Sequence, residues 1–563
     1  MASDPVISKN HNSYIAWRFY LILSVIAIAV LGLMWRVYHL AILDSHFLRH
    51  QGDERVLRLV STPSFRGMIV DRHGFPLAVS TTVYSVWMNP LEFYPLEEDL
   101  AALSHLIGVH SKNITNTAKK NLKINREFVY LKRSISPELA NQIKALNIPG
   151  VYLQQEYRRY YPEGEITAHV IGFTNIDDNG QEGLELAYNS WLQGEPGKKW
   201  VIKDRLGRII SDVQTVSDEK AGHDLVLSID RSIQYLAYRE LLAGVTENVA
   251  QAGTAIVLDI KSGEILAMVN VPSFNPNDRQ GVKSEHVRNR AVTDTFEPGS
   301  TIKAFTIASA LETGRFKPES IIDTSPGWMR VGRSVVKDEK NNGLLSISQI
   351  LQYSSNMGAA KIVLSLPPNQ LWSMLQRVGF GDNTGIGFPG EQSGVLIKHA
   401  PWGQFILATL SFGYGMSATP LQIARAYSVL ANQGIKLPLS LLKLEKAPLG
   451  ERVLHPNIAK QMLTLLQSVF EKGGTAASIS VPGYHVAGKT GTARMVGDGG
   501  YQKHRYTTSF VGIAPVTHPR VIVMVVIHDP RGKRFLAGEV SGPVFQRIMA
   551  GALRILDVPP DDV

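Results

Sequence analysis

The sequence predicts a multidomain chain, with one N-terminal membrane-spanning helix followed by two α+β domains. Three observations predict it. The 563 residues exceed what one hydrophobic core usually organises, so two or three domains are expected. A single uncharged run lies near the N-terminus. In the C-terminal half, strand-like segments at both ends enclose helical segments, the pattern of a sheet assembled from sequence-distant strands.

The uncharged run is FYLILSVIAIAVLGLMW, seventeen residues between Arg18 and Arg36. As a helix it covers about 26 Å, slightly short of the hydrocarbon core of a bilayer. Tyr14 and Trp17 at one end and Trp35 and Tyr38 at the other suit the interfaces, and the flanking arginines can snorkel. No small-x-small cleavage site follows, which favours an anchor over a removed signal peptide. Lys9 and Arg18 precede the span, whereas Arg36 and Arg49 follow it, so the basic residues alone do not orient it. Residues 1–18 read as a polar tail, and 36–60 as a helix leaving the membrane and then an extended stretch.

From about 61 to 220, short strands and charged helices alternate with glycine turns at Asp71-Arg72-His73-Gly74, Asp177-Asp178-Asn179-Gly180 and Asp204-Arg205-Leu206-Gly207. Pro137–Leu146 is expected to be a helix capped by Ser136, with Pro137 at its first position. A new domain is expected to begin near Asp224. DLVLSID reads as an alternating strand and SIQYLAYRELLAGV as an amphipathic helix. GTAIVLDI and EILAMVNV read as apolar strands joined at Lys261-Ser262-Gly263. A long apolar helix after Ser300 and a helical section to about 435 follow. The late strands TSFVGIAP and VIVMVVIHD come next, and then the amphipathic helix PVFQRIMAGALRIL.

Composition limits function. Hydrophobic content of 44%, charged content of 19% and a mean hydropathy of −0.02 suit globular domains and exclude a polytopic membrane protein. The net charge of +9 is modest for this length. With no aromatic-interleaved basic run, no nucleic-acid partner is expected. The absence of cysteine excludes disulfides, thiolate catalysis and cysteine-held zinc. The 16 histidines show no ligand spacing such as His-Glu-x-x-His, so neither a metal nor another cofactor is expected.

The chemistry-bearing signal is Phe296-Glu297-Pro298-Gly299-Ser300-Thr301-Ile302-Lys303. One helical turn brings the serine and the lysine to the same face. A serine hydroxyl becomes a useful nucleophile when a base takes its proton. Lysine can be that base if burial or a second positive charge holds it neutral. Ser-x-x-Lys alone selects nothing, because it also occurs at Ser217–Lys220, Ser334–Lys337 and Ser440–Lys443. Context favours Ser300. Pro298-Gly299 stops the preceding chain, and the short-residue apolar helix AFTIASALETG follows, ending at Gly314. Ser334 lies in strand and loop, Ser217 in a charged linker, and Ser440 in a connection after Leu437-Pro438. Ser354-Ser355-Asn356 falls between the helical runs LLSISQILQY and MGAAKIVLSL, where helix capping is the plainer role. Lys489-Thr490-Gly491-Thr492 precedes TSFVGIAP, and Gly491 allows close approach of a ligand or backbone.

Taken in order, Ser-x-x-Lys, Ser-x-Asn and Lys-Thr-Gly-Thr resemble the motifs of penicillin-recognising serine transpeptidases and β-lactamases. Arg66-Gly-Met-Ile-Val-Asp71-Arg72-His-Gly-Phe-Pro-Leu-Ala78, Arg159-Tyr-Tyr-Pro-Glu-Gly164 with His169, Gly172 and Phe173, and Gly180-Gln-Glu-Gly183-Leu-Glu185 resemble the non-catalytic pedestal of class B penicillin-binding proteins. Pro272-Ser-Phe-Asn-Pro-Asn277, Ser411-Phe-Gly-Tyr-Gly415 and Ser509-Phe-Val-Gly512 resemble their transpeptidase domain. The run RHQGDERVLRLVSTPSFRGMIVDRHGFPLAVS is most similar to the division-type, FtsI-like members.

The resemblance implies a cytoplasmic tail at 1–18, a transmembrane anchor at 19–38, an elongated α+β pedestal of dimerisation type at 39–222, and a transpeptidase domain at 223–563. That last domain would hold a mainly antiparallel sheet flanked by helices. Ser300 would be acylated by a peptidoglycan stem peptide ending in D-Ala-D-Ala, or covalently by a β-lactam, and a second strand's amine would resolve the acyl-enzyme. Lys303 would be the base, with Lys489 depressing its pKa, and Ser354 a proton relay. Asn356 would bond the donor backbone. Lys489, Thr490 and Thr492, with Gly491 between them, would receive the terminal carboxylate, with Arg494 a further contact. The amides of Ser300 and Thr492 would form the oxyanion hole. The catalytic domain would be periplasmic on a single-pass inner-membrane anchor, with a membrane glycosyltransferase and other division proteins as partners. The alternatives are a D,D-carboxypeptidase or β-lactamase with water as acceptor, and a β-lactam sensor or division scaffold.

Overall fold

The computed structural model describes residues 12–47, 57–203, 209–397, 403–497 and 499–562. Lys9, Arg49 and the turn expected at Asp204–Gly207 lie outside them. The apolar run forms part of helix α1, Asn12–Tyr38, about 40 Å long. It continues as a wider π-type turn, His39–Leu43, and Trp17–Leu43 is long and apolar enough to cross a membrane. At its far end Trp35 stacks on Tyr38.

The segment from Leu57 to Val226 carries two sheets. Leu57–Thr62, Gly197–Lys203 and Ile209–Ser217 form one antiparallel sheet. In the other, the long strand Pro76–Met88 pairs with Ile69–Val70, Val129–Ile135 and Val151–Tyr160. Val86 and Met88 turn one face of this sheet onto a small core with Leu103, Ile107, Ile114 and Ile143 from three helices. One of these is Pro137–Ala145, and Ser136 caps it by accepting from Leu139 N, as the sequence predicts.

The expected strand DLVLSID is instead a hand-over. Only Leu225–Val226 is strand, and it lies parallel to Ile69–Val70. Leu227 then bridges to Leu442. Asp230 caps helix α2, Arg231–Glu247, by accepting from Ser232 N and Ile233 N. Five residues thus leave one sheet and enter the next domain, so the alternation of the segment reports two environments. Asp71 closes the joint: its carboxylate accepts from His73 N, Phe75 N and Arg231 N.

The C-terminal domain is built on a five-stranded antiparallel sheet. Its strands are β1 (Ala250–Asp259), β2 (Ile265–Val271), β3 (Ala487–Gly497), β4 (Gly500–Ala514) and β5 (Val521–Pro530). Their spatial order is β2-β1-β5-β4-β3. Residues 272–486 are inserted between β2 and β3 and supply the helical section. It contains α3 (Lys303–Glu312), α4 (Asn356–Leu364) and α5 (Pro420–Ala431). These pack on one face of the sheet. Helix α2 and the C-terminal α6, Ala537–Ile555, cover the other, where Phe510 stacks on Phe545 at 4.4 Å. Fully burying one such ring contributes about 1.5–3 kcal/mol.

Two boundaries differ from expectation. LLSISQILQY is not wholly helical: Leu344–Ser346 pairs with Ile321–Asp323, and helix begins only at Ile347, under the Ser346 capping box. Helix α6 starts six residues before Pro543, which lies inside it. Burial of Ala537, Val540 and Val544 against the sheet outweighs the local preference for proline in a first turn.

Three resemblance segments meet at one buried ion cluster. Arg66 Nε donates to Glu185 Oε2 at 2.7 Å and Arg159 Nε to Glu185 Oε1 at 2.6 Å, with all three side chains essentially inaccessible. Asp178 lies beside them, its pKa raised to about 6 mainly by burial, despite both guanidinium groups. Neutralising the central carboxylate strands two buried cations. Glu185→Gln is therefore expected to destabilise the protein by about 3–5 kcal/mol. Thermal melts followed by circular dichroism read this as a fall of several degrees; an unchanged midpoint would contradict it.

Candidate active site

Ser300 does not begin the helix itself. Gly299–Ile302 is a 3₁₀ turn that runs into α3 at Lys303. Gly299 opens it with φ +58°, a conformation that favours glycine. Thr301 Oγ1 donates back to Pro298 O at 2.8 Å, and the buried Tyr427 hydroxyl on α5 donates to Thr301 O at 2.7 Å. The turn is pinned from both sides, and Lys303 Nζ lies 3.1 Å from Ser300 Oγ.

Lys303 is fully buried. Its Nζ contacts Ser354 O, Ser354 Oγ at 3.1 Å and Asn356 Oδ1 at 2.7 Å. Ser354 adopts φ +59°, which brings its carbonyl and hydroxyl together toward the lysine. Lys489 Nζ, also fully buried, donates to the same Ser354 Oγ at 3.0 Å. One hydroxyl therefore bridges two lysines.

Burial pushes Lys303 down to about 7, opposed by the charges of Asp338 and Glu339. Lys489 is also lowered, by burial first and by repulsion from Lys303 second. Desolvation is the leading cause for both lysines, and the repulsion between them acts on each. Lys303 has a carbonyl, an amide oxygen and nearby carboxylates, and Lys489 has Ser354 Oγ and, more distantly, Thr490 Oγ1 at 3.4 Å and Thr490 O at 3.5 Å.

Asp338, which the sequence reading treated as loop, organises the middle motif. It accepts from Ser355 Oγ at 2.5 Å, Asn356 N at 2.6 Å and Met357 N at 2.9 Å. Ser355 in turn caps α4 by accepting from Gly358 N, so helix capping is its role. Asn356 is held on both sides, with a second Nδ2 hydrogen left to offer a ligand. Its oxygen serves Lys303, and its Nδ2 donates to Lys337 O at 3.1 Å.

Strand β3 is the sheet edge that faces the 3₁₀ turn. A Cβ on Gly491 would stand 2.4 Å from Ser509 Oγ and 2.9 Å from Pro298 O, so only glycine permits this approach. The backbone segments of Ser300 and Thr492 are likewise close, since a Cβ on Gly299 would lie 3.7 Å from Thr492 O. Thr490 Oγ1 pairs with Thr475 Oγ1 at 2.8 Å. The Thr492 hydroxyl accepts from Ala537 N at 3.1 Å, at the start of α6, which leaves its own proton to donate. Arg494 is exposed on the rim, and its amide donates to Tyr414 OH at 3.4 Å.

Glu297 is a second unforeseen member. Oε1 accepts from Gly415 N at 2.9 Å and from Tyr501 OH at 3.0 Å, while Oε2 is buried without a partner. Its carboxyl is shifted upward, chiefly by burial. Its position three residues before Ser300 was the available signal. The competing serines are excluded by geometry. Ser334 lies in a hairpin strand, Ser440 bonds Leu442 O while Lys443 reaches Arg72 O, and Lys220 pairs with Glu195. Among the described residues no group of three or more His, Asp or Glu is placed to hold a metal.

Widening the Gly491 position tests the packing. Gly491→Ala is expected to lower the rate of covalent labelling at Ser300 by about a hundredfold, the scale of an ångström-size misplacement. Stopped-flow labelling with a chromogenic β-lactam measures it, and a change under threefold would refute the role of close approach.

The chain matches the family model "Penicillin binding protein transpeptidase domain" over residues 253–550 and "Penicillin-binding Protein dimerisation domain" over 61–227. It is 40% identical to the peptidoglycan D,D-transpeptidase FtsI of Escherichia coli K12 over 99% of this chain and 95% of that one. It is also 40% identical to the probable peptidoglycan D,D-transpeptidase PbpC of Pseudomonas aeruginosa, over 97% and 96%. Among solved structures, a peptidoglycan synthetase from Bifidobacterium adolescentis aligns with a TM-score of 0.72 at 25% identity, covering 90% of this chain and 98% of that one. The transpeptidase domain of Burkholderia pseudomallei penicillin-binding protein 3 aligns at 0.55 with 39% identity, over 60% and 97%. With both domain models matched and this identity sustained along nearly its whole length, the chain belongs to the class B penicillin-binding proteins, in the division-type, FtsI-like group.

Proposed function

We propose that this protein is a peptidoglycan D,D-transpeptidase of septal wall synthesis that works through an acyl-enzyme on Ser300. The observation that carries the reading is the convergence of two buried lysines on one hydroxyl beside the nucleophile: Lys303 to Ser300 and Ser354, Lys489 to Ser354. Neutral Lys303 takes the proton as Ser300 Oγ attacks the carbonyl between the two terminal D-alanines. The amide bond breaks, and Ser354 passes a proton to the departing amine. Lys489 and Thr490 receive the terminal carboxylate by charge-assisted bonds, with Arg494 as a further contact. The amides of Ser300 and Thr492 hold the oxyanion. Thr492 contributes its amide and, since its hydroxyl only accepts from Ala537 N, an O–H for the carboxylate; Asn356 grips Lys303 and has a second Nδ2 hydrogen for the donor backbone.

In this reading residues 1–18 are cytoplasmic, 19–38 anchor the chain in the inner membrane, 39–222 form the pedestal and 223–563 the catalytic domain in the periplasm. The support is chemical, since the lipid-linked wall precursor and its polymer lie outside the cytoplasm. A membrane glycosyltransferase and other division proteins are the partners that supply glycan strands.

Incubation with benzylpenicillin followed by intact-mass measurement and peptide mapping tests the proposal. A persistent one-to-one adduct on Ser300, absent in Ser300→Ala, is expected; turnover of the drug, or an adduct elsewhere, would overturn it. The pH profile is a second test. With Lys303 near 7, its neutral fraction rises from about 10% at pH 6 to about 90% at pH 8. The acylation rate should climb over that interval and then level. Because Asp338 raises the Lys303 pKa, Asp338→Asn should move the midpoint to lower pH. A flat profile would remove Lys303 as the base.

A further inference from the structure

The distal end of the catalytic sheet carries a concentration of positive charge of which the acylation chemistry uses at most Arg494. Residues 494–506 and 531–534 contain Arg494, Lys503, Arg505, Arg531, Lys533 and Arg534 against one acid, Asp498. Asp498 lies outside the described residues. The two segments are neighbours, because Thr507 on β4 pairs with His528 on β5, just before the second segment begins. Asp529 is taken up between Arg505 and Arg531, at 2.9 and 2.8 Å. Among the described residues no ion pair engages Arg494, Lys503, Lys533 or Arg534, and all four are exposed. The acids that face Lys533 and Arg534 are Glu247 and Glu539, which share with them a cavity of about 430 Å³ behind the loop.

This surface joins the catalytic cleft. Arg494 stands two residues beyond Thr492 on β3, with its amide held by Tyr414. Tyr501 reaches Glu297 at the entrance to the Ser300 turn. Phe535, following Arg534, stacks on Tyr506 at 5.1 Å, and Ala537 is tied to Thr492 Oγ1 at 3.1 Å. A ligand on the basic surface would therefore reach Ser300 from the open side of β3. The terminal-carboxylate position at Lys489 and Thr490 lies inside.

Resting on the reading of the protein as a transpeptidase, we propose that this basic surface docks the acceptor strand, by contacts to the free carboxylates of its stem peptide. The acceptor arrives after the leaving D-alanine has carried its carboxylate away, so the buried lysine pair cannot select it. An exposed cationic rim can, by steering and loosely holding an anionic peptide whose amine then reaches the acyl carbon. In that step the acceptor nitrogen forms the amide as the ester bond to Ser300 Oγ breaks, and the nitrogen's proton returns through Lys303 to Oγ.

The test uses the full-length protein in detergent, a thioester acyl donor ending in a carboxylate, and two acceptors: a stem tetrapeptide with free carboxylates and its carboxamide-capped form. Combined Lys503→Glu, Lys533→Glu and Arg534→Glu should raise the concentration of the free-carboxylate acceptor needed for half-maximal aminolysis about tenfold, as expected for a few exposed charges. The amidated acceptor should respond less than twofold, and benzylpenicillin should acylate Ser300 at the unaltered rate. Added salt should erase the difference between acceptors in the native protein. Equal effects on both acceptors, no effect on either, or slowed acylation would each overturn the proposal. Absence of any penicillin adduct on the native protein would instead overturn the transpeptidase reading on which it rests.

Discussion

The constraint on which the site depends is the burial of two ammonium groups against one another. Lys303 and Lys489 are both inaccessible, and both approach Ser354 Oγ to about hydrogen-bond distance. Two adjacent positive charges in a dry interior are not tolerated, so at least one lysine must give up its proton. The protein thus creates a neutral amine at ordinary pH without a histidine or a metal. The arrangement persists because the loops and turns around it are held by hydrogen bonds. Asp338 fixes the loop that presents Ser354, Asn356 spans between Lys303 and the Lys337 carbonyl, and Tyr427 holds the Ser300 turn from behind.

The sheet makes that geometry possible by offering an edge. Strand β3 has a neighbour only on the β4 side, and its outer side is closed by the Ser300 turn. Gly491 lets the two backbones meet, while Lys489 and Thr490 on the same strand reach the cleft. Residues 272–486, inserted between β2 and β3, return the chain to the edge from the far side of the helical section. Nucleophile and carboxylate-binding strand therefore come from sequence-distant segments that share one hydrophobic core. Thr492 links this edge to α6 through Ala537 N, so the last helix of the chain bears directly on the strand beside the nucleophile.

Much of this was legible in the sequence because it is local. The apolar run of α1, the Ser136 cap, the hairpin at Lys261-Ser262-Gly263 and the helix after Ser300 each follow from periodicity and turn chemistry within a dozen residues. The Ser300, Ser354 and Lys489 motifs were legible because three spacings in order are far rarer than any one. What stayed hidden depends on partners distant in sequence. DLVLSID alternates like one strand, yet Leu225–Val226 joins the sheet of Ile69–Val70 while Leu227 makes an isolated bridge to Leu442. Asp338 sits in a charged run that reads as solvent-facing, and only the fold brings the backbone amides of α4 to it. The bond that Thr492 Oγ1 accepts from Ala537 N, 45 residues later, has no local signal. Local pattern specifies which elements exist, while burial and long-range pairing decide which polar atoms remain free.

The same logic bears on how the site is switched. In the free protein burial lowers both lysines, and the charges of Asp338 and Glu339 oppose the shift at Lys303. A carboxylate placed beside Lys489 and Thr490 favours the charged form of Lys489, because an adjacent anion stabilises an ammonium. A charged Lys489 in turn disfavours charge on Lys303, across a hydroxyl that hydrogen-bonds to both. The base at Lys303 is then freed by the group that identifies a correct donor. Burial supplies the tension and Ser354 the path for the proton. On the proposed function, the terminal carboxylate supplies the charge that tips it, which makes recognition of the donor and activation of Ser300 one electrostatic event.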